Sequence, residues 1–157
     1  MKIKLLFLFL FCLGLFQNYA QNQPSLQKEK LKEFRTLFVQ KVQTKSGILT
    51  HYKNIDFKID YCTIEIKTID YENSNNENSI ISLPISGANL KENGEIDYEK
   101  KAIKEVITNK VTKQITTHFY SSSKEIGLFL KLENKEKHKE MQELMKVLSG
   151  SCSEEKQ

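Results

Sequence analysis

Ile55-Asp56-Phe57-Lys58-Ile59-Asp60-Tyr61-Cys62-Thr63-Ile64-Glu65-Ile66-Lys67 is the stretch on which the fold turns. In its first half Ile55, Phe57, Ile59 and Tyr61 alternate with Asp56, Lys58 and Asp60, the period of two that marks a strand with one wet face. In its second half Ile64 and Ile66 alternate with Glu65 and Lys67 in the opposite phase. A one-residue slip turns every side chain to the other side of a sheet, so a turn or bulge must lie near Tyr61-Cys62. The two runs therefore read as a β-hairpin. Ile69 and Tyr71 slip once more, which places a second turn or bulge near Lys67-Thr68.

Upstream, Leu31, Phe34, Leu37, Phe38 and Val42 recur at three- and four-residue spacing, with lysines and Glu33 largely on other faces. This is an amphipathic helix over about 25–45, entered at Pro24-Ser25 and closed by Lys45-Ser46-Gly47. Downstream, Glu72 to Ser79 is rich in asparagine and serine and reads as an exposed loop. Ile80 to Ile85 is a short strand that Pro84 confines to an edge or a strand end. Lys91-Glu92-Asn93-Gly94 carries turn residues. Residues 96–110 fit helix or strand equally. Val111 to Tyr120 is threonine-rich and strand-like, Ser121 to Ser123 makes a turn, and Ile126, Leu128, Leu130 and Leu132 alternate. Asn134 caps a last helix over about 135–149, with His138, Met141, Met145 and Leu148 on one face and Gly150 stopping it. The fold class is α+β. An N-terminal helix, an antiparallel curved sheet or partly open barrel of about five to seven strands between about 48 and 132, and a C-terminal capping helix form a single domain over 21–157.

The opening residues bear on compartment. Lys2 and Lys4 precede a twelve-residue apolar run, Leu5 to Phe16, and Asn18-Tyr19-Ala20 offers a small residue before Gln21. Basic start, short apolar stretch and small exit residue are the layout of a secretory signal peptide, here 1–20. The run falls short of the about 20 apolar residues that cross a bilayer, so no transmembrane segment is expected in the mature chain. Cys12 lies inside the apolar run behind Phe11, which argues against lipid anchoring. Removing two lysines and no acid takes the formal charge from +4 to +2, without the clustered basic footprint that nucleic acid requires. Cleavage also leaves Cys62 and Cys152 as an even pair, and the oxidising exterior makes them a structural disulfide candidate.

Each chemistry-bearing motif fails on context. Ser121-Ser122-Ser123-Lys124, Tyr71-Glu72-Asn73 and Lys45-Ser46-Gly47 match the three short signatures of penicillin-recognising serine enzymes. They occur in reverse order, and the serine and lysine connect two strands instead of opening a helix. Gly150-Ser151-Cys152 follows a helix and has no histidine downstream to activate a thiol. His51, His118 and His138 are far apart and lack the close spacing of zinc ligands. Asp56 and Asp60, with Lys58 between them, read as a solvated strand face. Glu72 and Glu77 lack the regular spacing of a calcium loop. The Phe34/Phe38 and methionine stripes fit packing on the sheet before they fit a ligand pocket. No catalytic, cofactor-binding or metal residue is assigned, and no cofactor is expected.

The pattern Asp56-Phe57…Cys62-Thr63-Ile64-Glu65-Ile66, then Ser82-Leu83-Pro84-Ile85, then a closing helix that ends near a cysteine, resembles uncharacterised exported proteins of Bacteroidota-type bacteria. A curved sheet with a C-terminal helix is similar to the pleckstrin-homology-like architecture, with a cystatin-like sheet wrapped on one helix as the alternative. The resemblance implies an exported chain, periplasmic or secreted. Its expected role is a non-catalytic binding or interaction module of the bacterial envelope, with a protein partner or small ligand. A carrier of a small apolar ligand or lipid, held between sheet and helices, is the alternative. An enzyme of unrecognised type is the reading the residues favour least.

Overall fold

Leu31, Phe34 and Phe38 bury themselves along one stripe of a helix because three- and four-residue spacing returns to the same face. The computed structural model describes residues 25–71 and 74–154. The helix, α1, covers 25–41 and runs into strand β1 (Val42–Thr44). A 3₁₀ turn over Ile48–His51 leads to β2 (Tyr52–Ile59), β3 (Thr63–Tyr71) and β4 (Ser74–Pro84). The short strands β5 (Asn89–Leu90) and β6 (Ile96–Asp97) pair with each other. Then follow β7 (Ile103–Asn109), β8 (Ile115–Tyr120), β9 (Leu128–Leu130) and helix α2 (Lys135–Glu154).

Five strands make one open antiparallel sheet in the order β2-β3-β4-β7-β8, not closed into a barrel. The fold class is thus α+β: N-terminal helix, antiparallel sheet, C-terminal helix. The hairpin read from 55–67 is present, with Ile59 opposite Ile64 and Phe57 opposite Ile66. Its turn is built by Asp60, whose Oδ1 accepts the N–H groups of Cys62 (2.8 Å) and Thr63 (2.7 Å). On the inner face Ile64, Ile66, Ile81, Leu83 and Ile103 pack with Phe34 and Phe38 of α1 and with Met141, Leu144, Met145 and Leu148 of α2 in one core. Phe38 meets Phe57 edge-on at 6.0 Å, which seats α1 beside β2.

Several expectations are corrected. The first helix ends at 41, short of the 45 that its apolar stripe suggests, because Val42–Thr44 pairs with β9 instead. Gly47 lies so close to Gly127 that a Cβ on it would stand 2.3 Å from the Gly127 nitrogen, and this contact fixes the exit from β1. No turn interrupts β3 at Lys67-Thr68. The ladder to β2 is continuous there, and Thr68 occupies a fully buried inward position after Ile64 and Ile66. The irregularity lies further on, between Ile69 and Tyr71. Within the polar stretch expected as a loop, residues 74–79 are the first half of β4, a strand paired with β3 on one side and β7 on the other. Pro84 ends that strand, as its missing N–H requires. Residues 103–109 form a strand. The last helix does not stop at Gly150 but continues to Glu154, with Ser151 Oγ donating to the Val147 carbonyl at 3.2 Å. Its start lies where the capping residue places it: Asn134 Oδ1 accepts the Lys137 N–H at 2.9 Å.

Candidate interaction edge

A sheet has two edges, and here they are treated differently. At the β2 edge, the Asp60 N–H to Thr63 carbonyl bond (3.0 Å) sets the phase of the ladder, so the peptide groups of Ile59, Phe57 and Ile55 point away from β3. Arg35 of α1 covers that edge, its Nε donating to the Ile59 carbonyl at 2.5 Å. Lys53, Asp56 and Lys58 stand exposed along the strand. Charges and a covering helix are the usual means by which a sheet edge is kept from pairing.

Among the described residues, the β8 edge has neither. The Asn109 N–H donates to the Gln114 carbonyl at 3.0 Å, and the register continues as Ile107 with Thr116, Glu105 with His118 and Ile103 with Tyr120. Residues 116, 118 and 120 therefore spend their peptide groups on β7, while Ile115, Thr117 and Phe119 direct theirs outward. Among the described residues no strand pairs with that side. Ile115 is 65 % exposed and Phe119 50 %, on the same solvent face as the exposed Ile80. From Gln114 to Ser123 the sequence holds no Asp, Glu, Lys or Arg, in a chain that is 28 % charged.

Both ends of β8 are pinned. At the start, Asn109 Oδ1 accepts the N–H groups of Val111 (3.0 Å) and Thr112 (2.9 Å). At the end, Glu125 Oε1 accepts Ser121 N–H (2.9 Å), Ser121 Oγ (3.1 Å) and Ser122 N–H (3.2 Å), and Tyr98 N–H donates to the Ser121 carbonyl at 2.9 Å. Beneath the strand runs a polar chain. Thr68 Oγ1 donates to the Ser79 carbonyl (3.2 Å), Ser79 Oγ to Glu105 Oε1 (2.8 Å), and Tyr120 OH to Glu105 Oε2 (2.5 Å). Thr68, Ser79 and Glu105 are fully buried. Burial, then the Glu105 carboxylate, push the Tyr120 phenol above its ordinary range, so it remains a donor at neutral pH. Burial likewise raises Tyr52, against hydrogen bonds to Thr68 and Ser79. The chain links β3, β4, β7 and β8 from below and holds the edge in place.

The residues weighed from sequence fall elsewhere. Cys62, beside the β2–β3 turn, and Cys152, in the last turn of α2, stand at disulfide distance, sulfur to sulfur 2.11 Å and Cα to Cα 4.9 Å. Asp56 and Lys58 are exposed on β2, and Asp60 serves the turn. His51 is exposed beside Tyr71, His118 lies on β8 opposite Glu105, and His138 is in α2. Among the described residues no three His, Cys, Asp or Glu side chains converge. Ser123 is buried in backbone hydrogen bonding, accepting from Ile96 N–H and donating to the Leu128 carbonyl. Phe34, Phe38 and the methionines of α2 belong to the core. Residues 1–20, read as a signal peptide, and Glu72 lie outside the described residues.

Among the described residues an ionic cluster does form. Lys91 bridges Glu95 and Asp97, Ser122 donates to Glu95, and Lys91 holds the Asp97 carboxyl below its usual range. Asp97 also borders an open cleft with Ser86, Asn89, Tyr98 and Lys100. These groups satisfy one another, so the cluster staples β6 to the segment after β8. Glu105 and the bare edge escaped the sequence reading. The uncharged run 114–123 was the available signal. No protein-family model, curated protein or solved structure matches the chain.

Proposed function

We propose that the protein is an exported, non-catalytic interaction module of the bacterial envelope that presents β8 as a docking edge for an extended strand. The observation that carries this is the outward row of peptide groups at Ile115, Thr117 and Phe119, flanked by exposed apolar side chains and free of guarding charge. Strand addition derives its affinity from main-chain hydrogen bonds and its selectivity from alternate side chains, and a pinned edge loses little entropy on capture. Export is supported by the layout of residues 1–20 and by a cysteine pair at bonding distance, the kind of link that an oxidising compartment keeps closed. No helix among the described residues is long and apolar enough to cross a membrane.

The test places a photoreactive side chain at Phe119, or at Asp56 on the guarded edge, and irradiates cells of the native host. A discrete adduct from position 119 and none from 56 is the expected outcome. Equal labelling from both edges, or none from β8, removes the reading. Mass spectrometry of the same product checks export, with a mature chain expected to begin at Gln21.

A further inference from the structure

The docking edge has a self-complementary sequence. We propose that β8 pairs antiparallel with β8 of a second copy about a two-fold axis through Thr117, joining two five-stranded sheets into one continuous sheet. This rests on the reading of β8 as a docking edge and names its occupant.

The register follows from which peptide groups are free. Only residues 115, 117 and 119 direct N–H and C=O outward, so a mate must meet them with its own outward residues. Centring the axis on Thr117 does this for all three: Ile115 opposes Phe119 of the second copy, Thr117 opposes Thr117, and Phe119 opposes Ile115. Every outward group finds a partner, about six hydrogen bonds in all. Shifting the register by one residue would set outward groups against inward ones and leave them unpaired.

The side chains agree with the same register. On the solvent face each exposed Ile115 lies beside an exposed Phe119, the aromatic-with-β-branched pairing that stabilises strand neighbours. Thr117 meets Thr117 between them. On the other face Thr116 faces His118. No like charges oppose each other anywhere in the strand, because it contains no Asp, Glu, Lys or Arg. Just beyond the strand, Lys113 comes level with Ser121 of the second copy, whose N–H and hydroxyl hold the Glu125 carboxylate. Opposite charges thus come together at both ends of the pairing. A two-fold interface must be complementary to itself, and this segment meets that condition in hydrogen bonds, apolar contacts and charge. The β2 edge fails it, with Lys53, Asp56, Lys58 and the Arg35 cover in the way. A single strand pair buries less than the roughly 1,200 Å² of stable complexes, so the dimer forms reversibly and with concentration.

Sedimentation of the oxidised mature chain from micromolar to millimolar concentration tests this. The wild type is expected to pass from monomer to dimer. Thr117→Pro removes an outward N–H from each copy and no bond to β7, so it stays folded while its dissociation constant rises about 30-fold, the effect of two hydrogen bonds. Ile115→Lys alone and Phe119→Glu alone each weaken self-association, and mixing the two variants restores a dimer in which the introduced lysine of one copy lies beside the introduced glutamate of the other. A wild type that stays monomeric throughout overturns the self-pairing. So does a dimer indifferent to Thr117→Pro, or a mixture that shows no rescue. Should the wild type remain monomeric while position 119 captures a different protein in cells, the docking edge stands and only its occupant changes. Should position 119 capture nothing, both readings fall.

Discussion

A carboxylate with no exposure to water is the most demanding residue of this protein. Glu105 accepts from the Ser79 and Tyr120 hydroxyls, and both bonds reach a charged acceptor. Hydrogen bonds of that type contribute about 1.5–3 kcal/mol each, and their loss would leave two hydroxyls facing a cavity. Glu105→Ala is therefore expected to lower unfolding free energy by about 3 kcal/mol in urea titration, while Glu105→Gln, which keeps an acceptor, lowers it by less. A loss below about 1 kcal/mol for the alanine variant would show that the chain of hydroxyls does not fasten β8. None of this could be read from residues 103–107. The partners of Glu105 lie 26 and 15 residues away in sequence, and only the strand order brings them under one side chain. Asp60 was more legible as a turn former in hindsight, because its two bonds go to amides two and three residues on.

Among the elements, legibility followed the balance of local and distant forces. The β2–β3 hairpin is visible because its pattern, its phase change and its turn all sit within the run from Ile55 to Lys67. The first half of β4 is invisible because nothing local favours a strand there. It is held by pairing with β3 and β7, both of which arrive from elsewhere in the chain. The end of α2 is hidden from local sequence for a related reason. Glycine weakens a helix by about 1 kcal/mol, yet the anchored Cys152 beyond it and the Ser151 bond to Val147 carry the helix past Gly150. A Cβ on Gly150 meets nothing within 4 Å, so Gly150→Ala is expected to stabilise the protein by about 0.5–1 kcal/mol, seen as a higher urea midpoint at unchanged slope. A destabilised variant would mean that the last turn is strained into helix instead of resting in it.

At the scale of the molecule, one cysteine pair at bonding distance spans what the sheet does not. The two halves of the core face are made by neighbouring strands, but α2 arrives last and lies on them through Met141, Leu144, Met145 and Leu148. Its far end is fastened to the β2–β3 turn by Cys62 and Cys152, 90 residues apart. The pair is legible as a candidate from its even number once the expected signal peptide is set aside, but its geometry is not, since nothing local shows that the last helix ends over the first hairpin. Closing a loop of that length removes chain entropy from the unfolded state worth roughly 4–5 kcal/mol. Domains of this size are stable by only about 5–15 kcal/mol, so the link contributes a large share. Denatured but unreduced protein recovered from the native host should therefore show no titratable thiol. The Cys62→Ser/Cys152→Ser double variant should remain folded, because the apolar face of α2 still docks, while losing most of that roughly 4–5 kcal/mol in urea titration and exchanging the amides of the last helical turn first. Two free thiols in the recovered chain would remove the main structural support for an oxidising compartment. A variant as stable as the wild type would show instead that the core alone holds the C-terminal helix.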